Sequence, residues 1–176
     1  MFGKTEITVY AITAISTIAF ATDAALGRIF NWLTFPAIIL GLIAAVFLGG
    51  FSALGDSALG VLSGVLLFGW IFALGFIGGG DVKFLMALGA WGGFKFAGQV
   101  ALLSILLGGV MAIGVLLYKK RAFDFFIRMQ LFVTSLFVKE LEIQKPEIDK
   151  KLQMPFGIPM AVAALLLVWG VPVWPI

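Results

Sequence analysis

Long runs of apolar residues, each close to the length of a membrane crossing, constrain this chain most strongly. Hydrophobic residues make up 62% of its 176 positions and charged residues only 12%, whereas a soluble domain is close to half apolar and a quarter charged. A transmembrane helix needs about 20 predominantly apolar residues. The sequence therefore predicts an all-α integral membrane protein, folded as a single domain over residues 1–176. We expect a polytopic bundle of about six transmembrane helices, one of them short, at residues 7–26, 32–50, 57–77, 84–96, 97–118 and 154–174.

The ends of these spans are less strongly determined than their number. A secretory signal peptide is the alternative for residues 7–26, but this run is long for one, contains Asp23 and has no small-residue cleavage site. We expect a turn at residues 27–31 and a tight loop from Phe51 to Asp56. The run from Phe84 to Gly93 is short for a straight crossing, because ten helical residues rise only about 15 Å.

The extended polar segment occupies residues 119–153. From Phe123 to Val138, apolar side chains recur at three- and four-residue spacing with polar residues between them, which predicts an amphipathic helix on the cytosolic membrane surface. A short charged stretch from Glu140 to Lys151 follows. We hypothesise that both border a substrate entrance; a passive membrane anchor is the alternative.

The distribution of basic residues predicts the orientation in the membrane. With six crossings, ten of the twelve lysines and arginines fall on one side, namely Arg28, Lys83 and the eight in residues 119–151. Lys4 and Lys95 fall on the other. Because positive residues accumulate on the cytosolic side, we expect both termini to face away from the cytosol.

Two carboxylates are candidates for function because a charge at membrane depth is costly. Asp23 lies near the end of the first span, and Asp81 lies between two apolar runs. The predicted topology places both at the cytosolic side, where they can meet. It places Asp56 on the opposite side, as a solvated loop residue or the N-cap of the third span.

Glycines surround the second of these acids. Gly78 and Gly80 precede Asp81 and interrupt the apolar pattern, so we expect a bare backbone that another strand can approach. Most of the 22 glycines instead fit close packing between membrane helices. Three glycine pairs have the required spacing: Gly60 with Gly64, Gly75 with Gly79, and Gly89 with Gly93.

The amino-acid types that are missing exclude several classes of chemistry. The chain contains no cysteine and no histidine, which excludes disulfides, a serine–histidine triad and cysteine-based zinc sites. We expect neither a metal nor a cofactor. Two adjacent carboxylates are sufficient to hydrolyse an amide, because one can act as base on a water while the other protonates the leaving amine. The net charge is only +3, and its placement favours lipid headgroups over nucleic acid as a partner.

The stretch from Gly78 to Lys83, Gly-Gly-Gly-Asp-Val-Lys, resembles the Gly-x-Gly-Asp-x-Lys signature of the type IV prepilin peptidases, which are membrane aspartyl proteases. In that family the other catalytic aspartate lies late in an earlier span, before an Arg-x-x-Asn turn. Asp23 followed by Arg28 to Asn31 matches this, although the family often has proline or serine where Phe30 stands. Met154 to Pro159 resembles the family's proline-aromatic-glycine start of the last span.

The resemblance covers the chain from about residue 15 onward and implies an aspartyl endopeptidase. Such an enzyme removes the basic leader from prepilin or pseudopilin precursors at the cytosolic face of the bacterial inner membrane. The cysteine-bearing insert that accompanies N-methyltransferase activity is missing, so the chain resembles the short members that serve tight-adherence (Flp) pili. The resemblance implies Asp23 and Asp81 as catalytic residues. Its supporting or substrate-binding candidates are Gly78, Gly80, Lys83, Arg28, Asn31, Pro155 and Gly157.

Several alternatives stay open at this point. A small proton-coupled transporter or channel could use Asp23 and Asp81 as relay groups, although the sequence has no evident internal repeat. Lys83 and Arg28 could be anchors that reach lipid headgroups. A catalytically idle scaffold is a third reading, which the presence of both acids does not favour. Whether the protein forms a homo-oligomer is left open.

Overall fold

A computed structural model describes residues 6–118 and 156–170. Within them every regular element is a helix: α1 (Glu6–Leu26), α2 (Asn31–Ala73), α3 (Gly79–Tyr118) and α4 (Gly157–Val168). Three helices, Glu6–Leu26, Asn31–Ala73 and Gly79–Val115, are long and apolar enough to cross a membrane. This confirms the all-helical class. The predicted surface helix at Phe123–Val138, the charged stretch after it, Pro155 and both chain termini lie outside the described residues.

The residues discussed below belong to one compact unit, whose described residues are 6–108 and 156–170. The described part of the second unit, residues 109–118, is the end of α3. Within the first unit, α4 packs against α1.

Helix α2 is interrupted at Gly50, whose φ of 68° and ψ of −162° are not helical. Residues on both sides of it contact the same turn of α3: a Cβ on Gly41 would lie 2.8 Å from Ala90 Cβ, and the Ser57 hydroxyl donates to the Ala90 carbonyl. In a straight helix Gly41 and Ser57 would lie about 24 Å apart along the axis. The chain therefore reverses at Gly50 into a helical hairpin.

This reversal corrects the predicted loop at Phe51–Asp56, because those residues are helical. A single glycine is sufficient for the turn, since without a Cβ it adopts positive φ at little cost. The preceding segment begins at Asn31, close to the predicted residue 32. The following segment ends at Ala73 rather than at residue 77, and a turn containing Gly75 with a φ of 85° comes after it.

Helix α3 is interrupted in the same way at Gly93, which has a φ of 79°. Gly64 of α2 faces Met86, and a Cβ on Gly108 would lie 2.7 Å from the Phe156 ring. Phe156 in turn contacts Phe68, one turn from Gly64, with ring centroids 5.6 Å apart. Met86 and Gly108 thus lie near the same level although a straight helix would separate them by about 33 Å. The chain reverses at Gly93.

The position of this second reversal corrects two predicted boundaries. The helix begins at Gly79 rather than at residue 84, and it breaks at Gly93 rather than between residues 96 and 97. Its first segment, residues 79–92, is the centre of the unit, because Phe84, Leu85 and Ala90 are fully buried and lie on different sides of the helix. A helix that is apolar and buried all round belongs to a core.

Two of the three predicted glycine pairs contribute to packing around this central helix. The backbones of Gly60 and Gly89 touch, and a Cβ on Gly64 would lie 2.7 Å from the Met86 nitrogen. The expectation of helix packing is wrong for Gly75, which has positive φ in a turn and no atom within 4 Å of an added Cβ. Gly93 also has positive φ, but a Cβ on Gly60 would lie 2.9 Å from its carbonyl carbon. Glycines at a crossing let two helices approach closely. One turn from the contact of Gly60 with Gly89, the Ser57 hydroxyl donates to the Ala90 carbonyl.

Asp56 has a different role from the one expected. It lies within the second helical segment of α2, and its Oδ1 accepts a hydrogen bond from the Phe94 N–H at 3.1 Å. It therefore caps the helical segment that follows Gly93, where free amide groups need an acceptor, and not its own helix. Phe94 lies thirteen residues along the chain from Asp81, or about 20 Å along the helix, so Asp56 is remote from Asp81 as predicted.

Candidate active site

Asp23 lies in the last turn of α1. The helix ends at Leu26, and the next residue, Gly27, has a φ of 62° and donates its N–H to the Asp23 carbonyl at 2.8 Å. The carboxylate points inward, is 3% exposed and accepts a hydrogen bond from the Ile158 N–H at 3.1 Å. Ile158 belongs to the first turn of α4, where backbone amides have no partner within the helix. The side chain is thus fixed by the start of another helix.

That approach requires a glycine at position 157. A Cβ on Gly157 would lie 2.7 Å from Asp23 Oδ2, closer than nonbonded atoms tolerate. The family resemblance implies Gly157 only as a supporting residue, and the structure shows that it contacts the Asp23 carboxylate.

Asp81 lies in the first turn of α3 and is 8% exposed. Its Oδ2 accepts a hydrogen bond from the Gly78 N–H at 2.9 Å, and its own N–H donates to the Gly78 carbonyl at 3.1 Å. This is the acidic half of a capping box, in which the third helical residue reaches back to the residue before the helix. A Cβ on Gly78 would lie 3.2 Å from that carboxylate oxygen. Gly78 therefore holds the acid by its backbone.

The expected open backbone at Gly80 is not open in this structure. A Cβ on Gly80 would lie 3.1 Å from the carbonyl oxygen of Ile29, in the turn between α1 and α2. The missing side chain makes room for this turn. Gly157, which contacts the Asp23 carboxylate, faces the same Ile29, so Asp23 and Asp81 lie at the same end of the unit.

Three other candidate residues lie at this end. The Lys83 ammonium donates to the Asn31 side-chain oxygen at 2.9 Å and lies 5.1 Å from the centre of the Phe35 ring. The Arg28 guanidinium lies 4.8 Å from the centre of the Phe30 ring. Both cations are thus placed over aromatic faces, which attract positive charge. The remaining candidate, Pro155, is outside the described residues.

The comparison with protein families is decisive for the class of protein. The model of the type IV leader peptidase family matches residues 10–113, a segment that includes both aspartates and the turn at Ile29. The chain belongs to the type IV leader peptidase family. The membership confirms the resemblance that was read from the Gly-x-Gly-Asp stretch.

Two curated relatives of this leader peptidase family member show the extent of the similarity. The prepilin leader peptidase/N-methyltransferase of Aeromonas hydrophila is 42% identical over 94 residues, which cover 49% of this chain and 32% of that protein. The protein of the same name from Pseudomonas aeruginosa is 38% identical over 96 residues, covering 51% and 32%. The match therefore spans about a third of the length of these curated relatives. No solved structure matches the chain.

Proposed function

We propose that this member of the type IV leader peptidase family is an aspartyl endopeptidase that removes the leader peptide from prepilin-like precursors. Asp23 and Asp81 are its catalytic residues in this proposal. The observation that carries it is the pair of buried carboxylates at one end of the helical unit. The name of the relatives, prepilin leader peptidase, supplies the substrate class. Family membership also favours hydrolysis over the proton-relay alternative.

The proposed reaction needs the two carboxylates in different protonation states. The ionised one takes a proton from a water molecule, which attacks the carbonyl carbon of the scissile peptide bond. The protonated one donates its proton to the nitrogen of the leaving amine as the C–N bond breaks. Asp23 and Asp81 are each fixed by a backbone amide at the start of a different helix, at the same end of the unit. Rigid placement of this kind contributes much of an enzyme's rate enhancement.

We further propose that this end faces the cytosol in a bacterial inner membrane. Arg28 and Lys83 lie at the aspartate end, whereas Lys95 follows the reversal at Gly93, and positive residues favour the cytosolic side. The large exposed apolar side chains of the helices, among them Phe47, Leu66 and Leu106, suit contact with lipid tails.

The sidedness can be tested directly because the chain contains no cysteine. Leu26 and Phe51 are both exposed and lie at opposite ends of the unit, so Leu26→Cys and Phe51→Cys are a matched pair. In intact spheroplasts a membrane-impermeant maleimide should label Phe51→Cys and spare Leu26→Cys until the membrane is opened. Labelling of Leu26→Cys alone would reverse the proposed orientation.

We propose cleavage without methyl transfer as the activity of this chain. The support is the absence of cysteine, since the family resemblance associates methyl transfer with a cysteine-bearing insert. The kinship with the short, tight-adherence pilus members is proposed on the same grounds.

The proposal is tested by incubating the purified protein in detergent with a prepilin-like precursor that carries a basic leader, a glycine and then a long apolar run. Intact-mass measurement should show a product lighter by the leader and, with S-adenosylmethionine added, no increase from a methyl group. An unchanged precursor mass, with a related peptidase active on the same preparation, would contradict the proposal.

A further inference from the structure

Ile29, in the turn between α1 and α2, is buried between the starts of two other helices. It is only 8% exposed, although its chain neighbour Arg28 is exposed. Two glycines face it from two other helices, Gly80 at the start of α3 and Gly157 at the start of α4. Neither could carry a side chain without moving Ile29 or its surroundings.

The two contacts use different parts of the residue. On the α3 side, a Cβ on Gly80 would lie 3.1 Å from the Ile29 carbonyl oxygen and 3.4 Å from its Cβ. On the α4 side, a Cβ on Gly157 would lie 2.7 Å from the end of the side chain, Cδ1. The backbone of Ile29 therefore sets one spacing and its terminal methyl group sets the other.

Each of the facing glycines is tied to one aspartate. Gly80 immediately precedes Asp81, whose carboxylate bonds to the start of its own helix. Gly157 touches the Asp23 carboxylate, which bonds to the next amide of α4. These hydrogen bonds fix each acid to a helix start, but neither bond joins one acid to the other. The distance between the acids then depends on what separates the two helix starts, and Ile29 lies there.

We propose that Ile29 is a positioning residue that fixes the separation of Asp23 and Asp81 by keeping the starts of α3 and α4 apart. In this role Ile29 acts through the two helix starts that it contacts, at Gly80 and Gly157. This inference rests on the proposed function for its effect on catalysis, but the spacing itself can be measured without any catalysis.

The first test uses two glycine variants that crowd the start of α4 equally. Gly157→Ala adds a methyl group 2.7 Å from Asp23 and from Ile29, whereas Gly108→Ala adds one 2.7 Å from the ring of Phe156, the preceding residue. With a prepilin substrate, Gly157→Ala should lower kcat by about tenfold or more, because small misplacements of reacting groups are costly. KM should change by less than about twofold, since ground-state binding is untouched. Equal losses of kcat in both variants would overturn the proposal.

The second test asks whether Ile29 transmits the effect. Ile29→Val removes only Cδ1, so in the Gly157→Ala background it should restore kcat by about threefold or more. The matched control is Ile15→Val, at another isoleucine that is 8% exposed but lies in α1 away from the site. Contacting residues show such coupling, whereas distant ones act additively. The proposal is wrong if the Gly157→Ala/Ile29→Val double variant lowers kcat by the product of the factors found for the two single variants.

A third measurement is independent of peptidase activity. In the Asp23→Cys/Asp81→Cys variant of this cysteine-free chain, a short thiol-specific cross-linker should join the two positions. Adding Ile29→Ala should speed cross-linking by about threefold or more, because the side chain that keeps the two helix starts apart is shortened; adding Ile15→Ala should leave the rate unchanged. Identical rates would overturn the positioning role. If the wild-type protein cleaves no prepilin but Ile29→Ala still changes the cross-linking rate, only the proposed function is contradicted.

Discussion

The crossing of α2 and α3 at Gly60 provides the sharpest prediction about the fold. A Cβ on Gly60 would overlap the carbonyl oxygen of Gly89 and would lie 2.7 Å from its carbonyl carbon and 2.9 Å from that of Gly93. These are backbone atoms, which cannot rotate away as a side chain can. Gly60→Ala must therefore push the two helices apart.

The magnitude follows from comparing this variant with Gly55→Ala in the same helical segment. No atom lies within 4 Å of a Cβ on Gly55, so alanine there should gain about 0.5–1 kcal/mol from the lower entropy of the unfolded chain. Overpacking a core costs about 1–3 kcal/mol or more. The free energies of unfolding of the two variants should thus differ by about 3 kcal/mol, which is a factor of about 100 in the folded-to-unfolded ratio.

The assay is unfolding of the purified protein in mixed micelles by titration with sodium dodecyl sulfate, followed by circular dichroism. Gly55→Ala should shift the midpoint to higher detergent fraction and Gly60→Ala to lower. If Gly60→Ala is as stable as Gly55→Ala, the backbones do not touch at this crossing and the hairpin at Gly50 is wrong.

Two further predictions concern hydrogen bonds between α2 and α3, and both are measured by the same detergent titration. Asp56→Ala should lower the free energy of unfolding by about 0.5–2 kcal/mol, because the Phe94 amide loses its cap; Asp56→Asn retains an acceptor and should cost clearly less, and an equal loss would contradict the capping role. Trp91→Phe should cost about 1 kcal/mol, because the indole N–H donates to the Ala37 carbonyl at 2.8 Å, and an unchanged midpoint would show that this bond contributes nothing.

The sequence predicted the helical class and the first helix well because both depend on long apolar runs. Its errors fall at the reversals. Phe51–Asp56 was expected to be a tight loop between two apolar runs, yet the turn is made by Gly50. The turn depends on which of the many glycines has a positive φ, and the residues around Gly50 do not distinguish it from the other glycines. The same holds for Gly93.

The sequence singled out the two candidate acids but not the groups that hold them. Asp23 and Asp81 could be singled out because an acid within an apolar run is costly. The partners that hold them could not, because the Ile158 amide is a backbone group 135 residues from Asp23. Ile29 was missed for a similar reason, since an isoleucine in a turn looks like any other apolar residue. The glycines at 80 and 157 were noticed, but the atoms that fill the space in front of them come from elsewhere in the chain.

The central claim is that Asp23 and Asp81 form the catalytic pair, and single-turnover cleavage of a prepilin by asparagine variants tests it most directly. Asparagine keeps the shape of aspartate and an oxygen that can accept the Ile158 or Gly78 amide, so the fold should survive. Asp23→Asn and Asp81→Asn should each lower the cleavage rate by about 100-fold or more, because one carboxylate cannot serve as both base and acid. Asp56→Asn, in α2 beside the reversal at Gly93, should cleave within about threefold of the wild-type rate, as expected for a site remote from the chemistry. A wild-type rate in either Asp23→Asn or Asp81→Asn would contradict the account.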